Sequence, residues 1–416
     1  MADFFDVLVI GAGPGGYPCA HRALQRGLKK VAVVEMAAPG GVCLNTGCIP
    51  TKGFLFGPSP AGGLEERVRA NAAAIGRLQK GVEFLLKGVT RFSARARLAG
   101  PGRVEIGGHG VVTARHIVLA TGSRPRPLAR LPFDGTRVLS SDHAVALPSA
   151  PASIAIIGAG AVGCEFAEVF SRYGSRVTLI EARDRIVPEM DPWLSRHLER
   201  ALKKRGVDVQ VGATADPATL DVGAILVAVG RQANVEELGL ETVGLSTPEG
   251  FVRVDGHGRT GVDGVWAVGD VTGPPQLAHR ATRQGGIVAD CIAGGPSALP
   301  SALNPLSIPA CVYTHPQLAQ VGRVTGDDLK MGEAFFRANG YAVVTDRTDG
   351  GVRLFAEAEG GRLTGALLAG PEVAEMVGLI NALIGAGATA GQLADTVFPH
   401  PTLAEVVREA AEALEE

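Results

Sequence analysis

Two cysteines, Cys43 and Cys48, stand five residues apart in the run Gly40-Gly41-Val42-Cys43-Leu44-Asn45-Thr46-Gly47-Cys48-Ile49-Pro50-Thr51-Lys52. That spacing, with a glycine in the turn between, suits an intramolecular disulfide at the start of a helix, where the N-terminal dipole stabilises a thiolate. The chemistry open to such a pair is thiol–disulfide exchange, which moves two electrons at a time. The run follows one strand–Gly-rich loop–helix unit and precedes a second, so the pair reads as a dithiol fed by, or feeding, a bound dinucleotide. Spacing alone also permits two buried, inert cysteines. Zinc is disfavoured, because no second Cys/His pair lies at zinc-site spacing. Near the other end of the chain are His400 and Glu405. A histidine side chain can take a thiol proton near neutral pH, and a carboxylate on its other nitrogen fixes tautomer and orientation. Taken singly, that histidine could be structural and Glu405 mere helix surface. Lys52, one turn beyond Cys48, could likewise be a solvated lysine.

Two repeated units must position these groups. Phe5–Ile10 is a β-branched, apolar run followed by Gly11-Ala12-Gly13-Pro14-Gly15-Gly16, a helical stretch to about Gly27, and a strand Lys30–Val34 ending at Glu35. Gly11 makes the tight turn, Gly13 lets the backbone approach a pyrophosphate, and Gly16 allows close helix–strand packing. Glu35, 19 residues after Gly16, sits where an acid bonds a ribose 2′-hydroxyl. The pattern recurs as Ile154–Ile157, then Gly158, Gly160 and Gly163 opening a helix to about Tyr173, then Arg176–Ile180 ending at Glu181. An acid at Glu181 favours NAD over NADP, since a carboxylate repels a 2′-phosphate. Three further Ala/Val-rich strands end in glycine. They lead into Thr121-Gly122-Ser123-Arg124-Pro125, into Gly230-Arg231 and into Gly269-Asp270. A carboxylate at such a strand end can accept bonds from a ribityl chain.

The 416 residues, with 40 basic against 42 acidic and 57 glycines, suit two to four domains of tightly packed α/β type. No basic patch of nucleic-acid type stands out. No apolar run reaches the ~18 residues a bilayer crossing needs. The N-terminus carries Asp3 and Asp6 and enters a strand directly, unlike a signal peptide. The expected setting is bacterial cytoplasm, or mitochondrial matrix if a transit peptide has been removed. Six cysteines in this length do not make a secreted disulfide framework.

On these motifs the chain resembles the pyridine nucleotide–disulfide oxidoreductases, and within them the branch that handles lipoamide. The likeness also covers Val312-Tyr313-Thr314-His315-Pro316 and His400-Pro401-Thr402-Leu403-Ala404-Glu405. The resemblance implies two Rossmann-like dinucleotide folds plus an α+β C-terminal dimerisation domain, with limits FAD 1–147 and 265–303, NAD 148–264 and interface 304–416. It implies FAD in the first fold, held by the first glycine loop, Glu35, Lys52, Thr121, Gly122, Ser123, Asp270 and Ala278. NAD goes to the second, held by its glycines, Glu181 and Gly230. It implies an obligate homodimer with shared active sites. In that scheme Cys43 is the interchange thiol, Cys48 lies against the flavin, Lys52 pairs with Glu165, and His400 with Glu405 forms the acid–base dyad of the other subunit. The reaction implied is oxidation of protein-bound dihydrolipoamide with reduction of NAD+, and the partners are lipoyl domains of 2-oxo acid dehydrogenase or glycine-cleavage complexes.

The chain departs from that pattern by being short. Only 15 residues separate Gln210 from Ile225, the helix after Lys52 is cut off by Gly57-Pro58-Ser59-Pro60, and the segment Asp327–Ala334 is trimmed. A mercuric reductase is disfavoured, since the last cysteine is Cys311. A glutathione reductase is disfavoured by Glu181, and by Ala161 where such enzymes carry a tyrosine. A catalytically impaired flavoprotein acting in binding or assembly is the reading from a different class. The intact Cys43, Cys48, Lys52, His400 and Glu405 set argues against it.

Overall fold

The computed structural model describes residues 3–58, 63–215, 220–294 and 301–415. Ser59 and Pro60, and part of the short 210–225 segment, lie outside them. Contacts divide the chain into two units, each described by itself below.

The chain opens with β1 (Phe4–Ile10), α1 (Gly16–Gln25) and β2 (Val31–Glu35). There follow α2 (Gly41–Asn45), α3 (Cys48–Phe56) and α4 (Gly63–Leu85), then β3 (Thr90–Ser93), β4 (Ala96–Leu98), β5 (Arg103–Ile106), β6 (Gly110–Leu119) and β7 (Ser123–Pro125). The strands order β3-β2-β1-β6-β5-β4, parallel from β3 to β6 and antiparallel beyond. β1 is buried on both faces. Val7 and Val9 join one apolar cluster, and Leu8 and Ile10 join another. That is why it reads as a continuous apolar run rather than an alternating one.

The second fold repeats the scheme with β8 (Val138–Leu139), α5 (Ser141–Ala144), β9 (Ser153–Ile157), α6 (Ala161–Arg172), β10 (Arg176–Glu181), α7 (Pro192–Lys204), β11 (Asp208–Val211) and β12 (Ala224–Val227). These strands pair in parallel in the order β11-β10-β9-β12-β8. α7 starts cleanly, with Asp191 accepting from the Trp193 N–H at 2.7 Å and Pro192 in the first turn.

The chain then returns to the first unit through β13 (Arg231–Ala233), β14 (Val265–Ala267) and α8 (Ala278–Gly294). β13 pairs with β7 in a two-stranded ribbon, and β14 adds in parallel to β6. Leu238, Leu240 and Val252 share an apolar cluster with Leu8 and Leu98. Residues 230–264, which the expected limits place in the NAD fold, therefore pack with the first unit. Residues 127–144, expected in the FAD fold, group with the second, because β8 pairs with β12.

The C-terminal part carries β15 (Ala310–Val312), β16 (Gln317–Gly322), β17 (Leu329–Phe335), α9 (Gly340–Val344), β18 (Gly351–Glu357) and β19 (Leu363–Gly370), followed by α10 (Val373–Gly385), α11 (Ala390–Ala394) and α12 (Glu405–Glu412). Its antiparallel sheet runs β15-β16-β19-β18-β17. α12 presents Val406, Val407, Ala410 and Ala411 to the core beside that sheet, which holds its first residue, Glu405, at a fixed place.

Candidate active site

The two glycine loops have the same construction. Gly11 has φ +106° and Gly158 φ +97°, so neither position suits an L side chain. An added Cβ would also sit 2.2 Å from Ala120 O at the first and 2.5 Å from Ala228 O at the second. At Gly16 and Gly163 it would meet the carbonyl of Gly11 or Gly158 at 1.9 Å. Both loops thus press helix, turn and next strand together with no room for a side chain. Glu35 accepts from Ala12 N–H at 2.7 Å and from Ala37 N–H at 2.9 Å. Glu181 accepts from Ala159 N–H at 2.8 Å and from Arg183 N–H at 2.9 Å. Each carboxylate oxygen has a second lone pair for a ribose hydroxyl. A side-chain-free loop at a helix N-terminus with an acid at the next strand end fits a dinucleotide pyrophosphate and its ribose.

The cysteine run is built directly onto the first of these loops. Gly40 N–H donates to Ala12 O at 2.9 Å, and a Cβ on Gly41 would lie 2.6 Å from the Cα of Gly13. α2 therefore starts against the pyrophosphate loop. Cys43 lies in α2, and Cys48 is the first residue of α3, where the helix dipole favours a thiolate. Asn45 braces the turn between them, donating to Gly41 O at 2.8 Å and accepting from Gln79 Nε2 at 2.7 Å. The two cysteines face each other as thiols. The hydrogen bond with Cys48 pushes the Cys43 thiol well up, burial and the charge on Cys48 add to this, and Lys52 opposes it. The pair thus gives up its first proton more readily than its second. Tyr17 stands close by. Burial raises its phenol, and Cys43 raises it further. Cys19, by contrast, is fully buried and pushed up to about 12 by burial alone, an inert cysteine.

In the same unit Asp270 follows β14 and accepts from Ser123 Oγ at 2.5 Å. Arg231 in turn donates to Ser123 Oγ at 2.7 Å and to Ser123 O at 2.9 Å. Thr121 and Asn234 exchange bonds, Thr121 Oγ1 to Asn234 O at 2.8 Å and Asn234 Nδ2 to Thr121 O at 2.9 Å, and Gly122 O accepts from Asn234 N–H. Ala278 begins α8, whose Arg280 bonds the carbonyls of Gly273 and Pro275 and the Thr272 hydroxyl.

In the second unit His400 Nδ1 lies 2.9 Å from Glu405 Oε1, and Glu405 Oε2 accepts from Thr402 N–H at 2.8 Å. The Thr402 bond first, and then His400, hold the Glu405 carboxyl below the ordinary range. His400 is 78% exposed on the protomer while Glu405 is 14% exposed, so the ring is presented outward on a fixed carboxylate. Glu165, buried on α6, accepts from Tyr313 N–H at 3.0 Å. Gly160 caps α6 with open space above it. Gly230, with φ +107°, lies after β12 and directly before β13, at the start of the first unit's returning segment.

Within each unit the expected residues come together: the cysteine pair with Lys52 and the first loop, Ser123 with Asp270, Glu181 with the second loop, and His400 with Glu405. Sequence reasoning missed Asn45, Tyr17, Arg231 and Glu168. Asn45 was signalled by its place inside the cysteine run. The other three act through contacts distant in sequence and left no local signal.

The model of the pyridine nucleotide-disulphide oxidoreductases matches residues 5–285, and that of their dimerisation domain matches 308–411. The chain belongs to the pyridine nucleotide-disulphide oxidoreductase family. As such it works with FAD and NAD, and its dimerisation domain makes it a homodimer. It is 37% identical to a dihydrolipoyl dehydrogenase of Zymomonas mobilis, covering 98% of this chain and 97% of the relative. With a protein of the same name from Bacillus subtilis the identity is 35%, covering 99% and 98%. These alignments run over 457 and 471 positions, longer than the chain, so the family member described here is internally shortened against both. Among solved structures, the copper complex of the HOCl-induced flavoprotein disulfide reductase RclA of Escherichia coli superposes with a TM-score of 0.90 at 25% identity over 99% of both chains. Among the described residues no helix is long and apolar enough to cross a membrane.

Proposed function

We propose that this protein is a dihydrolipoyl dehydrogenase: it oxidises protein-bound dihydrolipoamide to lipoamide and reduces NAD+ to NADH. The observation that carries the reading is the Cys43–Cys48 pair, seated at a helix N-terminus against the first dinucleotide loop. It is supported by relatives of that name along nearly the whole chain.

In the oxidised protein Cys43 and Cys48 form a disulfide. A dihydrolipoyl thiolate attacks the sulfur of Cys43, the S–S bond breaks, and Cys48 leaves as a thiolate stabilised by the α3 dipole. His400 of the partner subunit takes the proton of the second lipoyl thiol, whose sulfur closes the lipoyl disulfide and releases Cys43. Glu405 holds that imidazole in orientation. Bound flavin supplies the two-electron step from the dithiol and the hydride step to NAD+. In sum, the dithiol loses two electrons and two protons, NAD+ gains a hydride, and one proton is released.

FAD is assigned to the first loop with Glu35, Lys52, Thr121, Gly122, Ser123, Asp270 and Ala278. NAD is assigned to the second with Glu181 and Gly230. Lys52 paired with Glu165 would set charge beside the flavin. The partners follow from the substrate: lipoyl domains of a 2-oxo acid dehydrogenase or glycine-cleavage complex. The relatives quoted are bacterial, which supports work in a bacterial cytoplasm.

The test is anaerobic addition of dihydrolipoamide to the flavin-loaded protein, followed by NAD+. Bleaching of the flavin and formation of NADH at 340 nm is the expected result. A flavin that dihydrolipoamide leaves unchanged, while NADH reduces it, overturns the substrate and leaves a disulfide reductase of other specificity.

A further inference from the structure

α6 carries a second buried acid that the proposed reaction does not use. Glu168 is 0% exposed and lies one turn beyond Glu165, so both carboxylates project from one face of the helix. They grip one short segment. Glu165 accepts from Tyr313 N–H at 3.0 Å, and Glu168 accepts from His315 N–H at 2.7 Å. Residues 313 and 315 lie in the bend between β15 and β16, and both of their N–H groups face α6. Glu168 also meets the ring of His315, Oε1 to Nδ1 at 2.6 Å, and lies 3.7 Å from Arg205. Arg205 reaches the His315 carbonyl at 3.5 Å, and Thr314 between them is fully buried with its hydroxyl on Pro316 O.

Two buried carboxylates one helical turn apart repel each other and are costly to desolvate. Neutral acceptors such as glutamine could take the same two N–H groups without that charge repulsion. The cost is explained if one acid needs to be held in place and the other holds it. We infer that Glu168 is a positioning residue for Glu165: by clamping His315 it fixes the Tyr313 N–H, and that N–H fixes the Glu165 carboxylate. The inference rests on the proposed role of Glu165 beside the flavin.

The test uses the flavin-loaded dimer and reads the midpoint potential of the bound flavin, with dihydrolipoamide turnover as a second readout. Four variants are compared with the parent: Glu165→Gln, Glu168→Ala, Glu168→Gln and the double variant Glu165→Gln/Glu168→Ala. Glu168→Ala is expected to move the potential in the same direction as Glu165→Gln and to slow turnover roughly tenfold, the loss of one oriented contact. In the double variant Glu168→Ala adds nothing to Glu165→Gln. Glu168→Gln keeps an acceptor for His315 N–H and restores the parent potential. Should Glu168→Ala fail to fold, His315→Ala, which removes the ring bond and keeps the main-chain N–H, is expected to shift the potential the same way by less. The inference is overturned if Glu168→Ala lowers the melting temperature at an unchanged potential. It is also overturned if the two substitutions add, or if Glu168→Gln behaves as Glu168→Ala does. The potential is read without any thiol substrate, so a protein that does not oxidise dihydrolipoamide leaves this test standing.

Discussion

Replacing Gly158 by alanine places a methyl group where the structure has none to spare. The residue sits at φ +97°, which costs an L-residue about 1–2 kcal/mol. The new Cβ would also lie 2.5 Å from Ala228 O and 2.8 Å from its carbonyl carbon, inside the 3.0 Å that real contacts respect. Both atoms are backbone just past the end of β12, so the loop must give, at about 1–3 kcal/mol more. The strain deforms the N–H groups that would receive a pyrophosphate. If about 2 kcal/mol of it is felt in nucleotide affinity, KM for NAD+ rises about 30-fold. The assay is steady-state NADH formation at saturating dihydrolipoamide, beside flavin content from the visible spectrum. The matched control is Gly11→Ala, where the same geometry recurs with a closer 2.2 Å clash. Gly158→Ala should keep its flavin and lose NAD+ affinity, whereas Gly11→Ala should lose flavin. A Gly158→Ala protein with a KM within twofold of the parent, or one that sheds flavin, would refute the assignment of the two loops.

Other outcomes follow from the site. His400→Gln should cut dihydrolipoamide-driven NADH formation by about 10²–10⁴-fold, yet leave NADH oxidation by ferricyanide, which needs no thiol base, near the parent rate. Cys48→Ser removes the largest influence raising the Cys43 thiol, so the pH midpoint for alkylation of Cys43 by iodoacetamide should fall, burial still keeping it above that of a free thiol; an unmoved midpoint means the two sulfurs do not interact. Asp290, held by Arg22 and then Arg26, has its carboxyl lowered to about 2. A depressed acid stabilises the fold above its unfolded pKa, and that contribution fades as pH falls from about 4 towards 2. Asp290→Asn should therefore reduce stability by about 1 kcal/mol at pH 7, since the arginines are partly solvated, with the difference from the parent vanishing near pH 2 in acid-unfolding curves.

The nucleotide folds were legible because their chemistry is local. Gly11, Gly16, Gly158 and Gly163 are glycines for steric reasons that act within one strand–turn–helix, and Glu35 and Glu181 end the next strand. The cysteine pair was legible for the same reason. The His400–Glu405 contact spans five residues, and the family motif pointed to it. What the sequence hid lies in pairings between distant segments. Nothing in Ser123-Arg124-Pro125 announces that it pairs with Arg231-Gln232-Ala233, and that ribbon draws residues 230–264 away from the second fold. The Arg231–Ser123–Asp270 chain depends on it and was equally out of reach. Glu168 shows no local pattern, because its partner is 147 residues away.

The acid at the end of β10 has a consequence for anyone who would change the coenzyme. Glu181 spends one oxygen on the Ala159 N–H and the other on the Arg183 N–H, so it is a scaffold strut as well as the proposed selectivity filter. Exchanging it for a neutral or basic side chain to admit a 2′-phosphate would strip two backbone donors of their acceptor at the same stroke. A redesign that alters only charge would thus slacken the turn that every dinucleotide needs. To succeed, it must first install a substitute acceptor, such as a serine or asparagine oxygen, and only then add the arginine.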